Sequence, residues 1–131
     1  MTLEHDADFA TIVRQLLDVL AEDNDALGLW TELQDDVGEE FRAHRGFAYA
    51  NNWGQDNPQA FVSAVHNAIV RRSQRLAGVQ VKKRQEAGEV ISPDFNIFAI
   101  ISEEAEANTP DYQRRRRLYN AARQIVGLPA V

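Results

Sequence analysis

NPQAFVSAVHNAIVRRSQRLAGVQVKKRQ, residues 57–85, is the longest uninterrupted helical pattern in the chain, and the other segments can be folded around it. Asn57 suits an N-cap, Pro58 at the first helical position has no N–H to leave unsatisfied, and Gly88 supplies a stop. At 100° per residue Phe61, Val65, Ile69, Leu76 and Val79 fall on one face and predict a buried stripe. Arg71, Arg72, Arg75, Lys82, Lys83 and Arg84 crowd the second half, with Arg71, Arg75 and Lys82 along one flank of the stripe.

Working outward, residues 6–21 read as a surface helix whose inner face is Phe9, Ile12, Val13, Leu16, Leu17 and Leu20. After the polar turn Glu22-Asp23-Asn24-Asp25, Asp25 is expected to cap a second helix from Ala26 to His44, with Leu27, Trp30, Leu33, Val37 and Phe41 inside. Gly38 in its interior costs about 1 kcal/mol relative to Ala and would mark a bend. Residues 45–57 are the least periodic stretch, so an ordered loop pinned by Phe47, Tyr49 and Trp53 is expected.

Beyond the long helix, Ser92-Pro93 repeats the cap-then-proline signal and predicts a helix to Ala107. Phe95, Ile97, Phe98, Ile100 and Ile101 leave its first turns little polar face, which makes it the expected most buried element; a short buried strand is the competing reading of the same run. Thr109-Pro110 opens a last helix with Tyr112, Leu118, Tyr119, Ala122, Ile125 and Val126 inside, and Gly127 and Pro129 end it. Five helices with short connections predict an all-α fold, a compact bundle forming a single domain over residues 1–131.

A chain of 131 residues is long enough to bury a core without staples, and with no cysteine it has neither disulfides nor thiolate metal sites. Acidic residues at Glu4, Asp6 and Asp8 do not fit a secretory signal, and no apolar run has the length of a membrane span, so a soluble cytoplasmic protein is expected. The net charge of −6 is unevenly spread: residues 1–60 carry −10 and residues 61–131 carry +4. The plainer consequence is that the two halves attract each other within the molecule. The functional alternative is that the basic half faces nucleic acid or an acidic protein.

The motifs with chemical meaning are few. Arg45-Gly46-Phe47-Ala48-Tyr49 matches the start of an RNA-recognition signature, but Ala50 and Asn52 break it and the flanks read as helix. Asp23, Asp25 and Gly28 occupy three positions of a calcium loop, yet Gln34 stands where the bidentate glutamate belongs, so a helix-capping turn is the better reading. His5, His44 and His66 are scattered, Glu40 and His44 are spaced for a surface pair, and Glu103, Glu104 and Glu106 read as a solvated helix end. Neither a phosphate loop nor a nucleophile elbow occurs, so no cofactor, metal or catalytic set is expected.

The run Arg114–Arg117 is the strongest local feature. Arg115 falls toward the apolar side and is expected to lie along the core edge, paired with acidic helices, while Arg114, Arg116 and Arg117 fan outward. If the two basic helices pack side by side, Arg71, Arg75, Lys82, Arg114, Arg116 and Arg117 form one positive face. Such a face neutralises roughly 4 to 6 phosphates, giving a log-log salt slope near −4 or −5, and its arginines equally suit carboxylates. The leading expectation is a non-catalytic regulator or accessory subunit that docks on a protein partner through this face. A nucleic-acid-binding protein, with Tyr49 and Trp53 stacking on bases, is the alternative. A homo-oligomer in which acidic and basic halves meet between copies is the third.

Overall fold

The computed structural model describes residues 9–50, 59–89 and 97–131, with side chains described for 9–43, 60–89 and 99–131. Five helices account for most of these: α1 (Phe9–Val19), α2 (Asn24–Ala50), α3 (Gln59–Glu86), α4 (Ile97–Ala107) and α5 (Pro110–Ile125). No strand occurs among the described residues, and the isoleucine-rich run is helical, so the fold is an all-α bundle. The expected caps at Asn57 and Ser92, with Pro58, Pro93 and Phe95, lie outside the described residues.

Local chemistry sets the helix ends. Asp23, not Asp25, caps α2: its Oδ1 accepts the Ala26 N–H at 3.1 Å, three residues on, where a free helical N–H needs a partner. At the start of α5, Thr109 accepts the Tyr112 N–H at 3.1 Å and Pro110 fills the first helical position. α3 and α5 end in the same way. Gly88 at φ +85° directs the Glu89 N–H back to the Arg84 carbonyl at 3.0 Å, and Gly127 at φ +81° directs Leu128 N–H to Arg123 at 2.9 Å. Leu128 thereby folds onto the core.

The segment expected to be a loop after His44 instead continues α2 through Ala50. Arg45, Ala48 and Ala50 favour helix, and Gly46 costs only about 1 kcal/mol unless the chain needs a left-handed residue there. The RNA-recognition look-alike at residues 45–49 is therefore helical and forms no sheet on which bases could stack.

The core is built by α1, α2, α3 and α5 around Trp30, Phe61, Leu16, Leu29, Leu33, Leu118, Val37 and Val65. Phe9, Trp30, Phe41 and Phe61 meet ring to ring, with Phe9 6.1 to 6.4 Å from the other three. Gly38 is where Phe9 seats on α2, since a Cβ there would stand 3.1 Å from Phe9 Cε1. Close approach, rather than a bend, accounts for this glycine.

One expectation about burial is corrected, and another falls partly outside the described side chains. Of the apolar run expected to make α4 the most buried element, Phe95 and the side chains of Ile97 and Phe98 lie outside them. Among the described side chains of α4 only Ile100 is buried, outside the main cluster, and the helix packs chiefly on α3. On α3, Phe61 and Val65 are buried as expected, but Leu76 is 39% and Val79 45% exposed. The reason is length. Asp111, in the first turn of α5, bonds to Arg72, while Tyr119 further along α5 lies against His66, so α5 runs back along α3 from that level. The last three turns of α3 continue past the start of α5, and the stripe that faces the core at Phe61 faces solvent at Val79. Leu17 at the rim of α1 is likewise 40% exposed.

Candidate functional site

The structure divides the six basic residues expected to form one face. Arg71 pairs with Glu40 at 3.3 Å, and Arg117 with Asp23 at 2.7 Å. Glu40 and Asp23 are 17 residues apart, about 25 Å along α2, so these two arginines are held at distant points. Arg114 pairs with Asp111 on its own helix at 2.7 Å, and Arg116 donates to the Val131 carbonyl at 2.7 Å. Arg75 and Lys82 have no partner among the described residues. Contacts of the acidic half with the basic half, Asp23–Arg117, Glu32–Arg72 and Glu40–Arg71, lie within the molecule. The asymmetry of charge is thus partly consumed by folding.

The densest polar cluster centres on Asp111. Arg72, only 5% exposed, forks onto both Asp111 oxygens at 3.1 and 3.2 Å and donates Nε to Glu32 at 2.9 Å. Arg115, 6% exposed, donates to Ser73 Oγ at 2.6 Å and Glu104 at 2.8 Å, and its Nε lies 3.2 Å from Asp111. Arg115 is therefore buried at the core edge and paired, as its place in the sequence implied. Burial opposes the charge of Asp111, but hydrogen bonds from Arg72 and Arg114 outweigh it and hold the carboxyl below its ordinary range. Burial likewise opposes the Arg72 charge, and Asp111 and Glu32 more than compensate. Three carboxylates balance three guanidiniums here. The cluster ties α2, α3, α4 and α5 together and has no surplus charge for a ligand.

Sequence reasoning missed Arg72 as a core residue, although it shares a face with Phe61 and Val65. It also missed that Glu103 and Glu104 reach arginines: Glu103 pairs with Arg84 at 3.2 Å. Glu40 bonds Asn67 and Arg71. Of the histidines, His66 lies against Tyr119, while His5 and the His44 side chain fall outside the described residues. Among the described residues no three potential metal ligands cluster. Tyr49 belongs to α2 with its side chain undescribed, and Trp53 lies outside the described residues.

What remains is the distal half of α3. Leu76 and Val79, one turn apart, present apolar surface to solvent, and Arg75, Lys82 and Lys83 lie beside them on the same stretch of helix, all exposed and without a partner among the described residues. An apolar pair flanked by these cations suits a partner that is apolar at its centre and acidic at its edge. No described helix is long and apolar enough to cross a membrane. Compared with protein-family models, curated proteins and solved structures, the chain matches none of them.

Proposed function

We propose that the chain is a non-catalytic cytoplasmic binding protein, a regulator or accessory subunit, that docks on an acidic protein surface through the distal half of α3. The observation that supports this reading is the exposed pair Leu76 and Val79 beside Arg75, Lys82 and Lys83, which have no partner among the described residues. Of the six basic residues expected at the contact, Arg75 and Lys82 keep that role. Arg71, Arg114, Arg116 and Arg117 serve the fold. The apolar pair favours a protein over nucleic acid, because phosphates reward cations alone and offer nothing to two aliphatic side chains.

The test is fluorescence anisotropy with two labelled probes: an amphipathic helical peptide bearing leucines on one face and glutamates at its flanks, and a single-stranded RNA. The reading expects binding of the peptide that weakens about tenfold on Arg75→Glu with Lys82→Glu. Binding of the RNA alone, or peptide binding indifferent to those substitutions, would contradict it.

A further inference from the structure

Distal α3 has two flanks, and one of them already carries a helix. At about 100° per residue, Leu76 and Val79 lie about 60° apart. Arg75 and Lys82 stand beyond Val79 on one flank, and Ser73, Ala77 and Arg84 lie on the other. α4 packs on α3 along that second flank. Ala77 is 1% exposed, Arg84 donates to Glu103 at 3.2 Å, and Arg115 joins Ser73 Oγ at 2.6 Å to Glu104 at 2.8 Å.

The chemistry of that seated helix bears on the open strip beside it. α4 buries the aliphatic Ile100, and its glutamates reach arginines of α3 and α5. The open strip makes the same demand, with aliphatic surface at Leu76 and Val79 and positive charge at Arg75 and Lys82, neither of which has a partner among the described residues. Arg75 and Lys82 are seven residues apart, about 10 Å along the axis and within about 20° in angle. Two carboxylates two turns apart on one edge of a second helix match both.

We infer that the occupant of the open strip is a single acidic helix of the partner, lying on α3 beside α4, with carboxylates at i and i+7 on one edge of its aliphatic stripe. This rests on the reading of distal α3 as a docking face, and names the form its partner takes there. Acids on the opposite edge of that helix gain nothing, because Arg84 on the α4 side is engaged by Glu103.

Two labelled peptides of identical composition, each held helical by a lactam bridge, test this by fluorescence anisotropy. Both carry leucines at i+1 and i+4. The first has glutamates at i and i+7 on one edge; the second has them at i and i+5, across the stripe from each other. The first is expected to bind about threefold more tightly, the worth of one exposed ion pair. Lys82→Gln, at an exposed position, is expected to weaken the first peptide alone and so erase the difference.

Equal affinities, or Lys82→Gln weakening both peptides alike, overturn the inference. Arg75→Glu with Lys82→Glu then separates the two levels. If that reversal weakens both peptides, the docking face stands and the single-edged helix falls. If it changes nothing, or if neither peptide binds at millimolar concentration, face and occupant fall together.

Discussion

Arg72 and Asp111 are 39 residues apart in the chain, yet the guanidinium of one closes a two-bond fork on the carboxylate of the other at 3.1 and 3.2 Å. The pair marks the level at which α5 begins to cover α3. Before it on α3, Phe61, Val65 and Ala68 are buried in the core; beyond it Ala77 is still covered, but Leu76 and Val79 reach solvent.

The cluster around that pair predicts an inverted order of mutational cost. Asp111 is the more exposed partner, but removing it strips a carboxylate from Arg72, Arg114 and Arg115 together. Asp111→Ala should cost about 3 kcal/mol, because two nearly buried guanidiniums lose a counter-charge. Arg72→Met should cost about 1 kcal/mol or less, since an apolar side chain of similar length fills the site and Glu32 can turn to water. Urea unfolding of the two variants decides the order.

Acid should unfold the protein through the same carboxylates. The hydrogen bond from Arg117, reinforced by the Ala26 N–H, holds Asp23 below its ordinary value of 3.8, and Asp111 is also lowered. In both cases the folded state binds its proton less readily than the unfolded chain. The stability they contribute is complete above about pH 5 and is lost as pH falls through 3.8 toward the folded values. Unfolding midpoints between pH 6 and pH 2 should show this decline, and Asp23→Asn should flatten it.

Two glycines of α2 should respond in opposite directions to alanine. Gly28 has open space where a Cβ would go, so Gly28→Ala should stabilise by about 0.5 to 1 kcal/mol through helix propensity. At Gly38 the new Cβ would press on Phe9, whose ring is held by Trp30, Phe41 and Phe61 and has little room to yield. Gly38→Ala should destabilise by about 1 kcal/mol. Thermal melts of the pair are sufficient.

Phe61 and Val79 fall at the same angle on α3, five turns apart, and periodicity alone treats them alike. Phe61 is 1% and Val79 45% exposed. Phe61→Ala should cost about 4 kcal/mol, and Val79→Ala less than about 0.5 kcal/mol while weakening partner binding. Equal costs at the two positions would show that the distal turns are packed.

These contrasts show what the residues reveal by themselves. Helix identities followed from periodicity and from caps such as Thr109-Pro110, because those signals act within one turn of chain. The extent of cover over α3 did not follow, since it depends on where a partner distant in sequence begins. Arg72 sits at a position that local pattern assigns to the core, and its charge hid that until Asp111 and Glu32 were seen beside it. The arginine run of α5 drew attention as a contact surface, yet Asp23 and Asp111 engage Arg117 and Arg114, and only the fold brings those acids near. Periodicity placed Leu76 and Val79 in the buried stripe, so Arg75 and Lys82 read as the rim of a core face rather than as the flank of an exposed apolar pair.

Whether distal α3 or the arginine run of α5 makes the contact is read directly from the map of ¹H–¹⁵N amide shifts as the leucine–glutamate peptide is added to the labelled protein. For contact through α3 the largest shifts fall on residues 75–83, and residues 114–117 stay in place. Shifts centred on residues 114–117, with 75–83 unmoved, would contradict it.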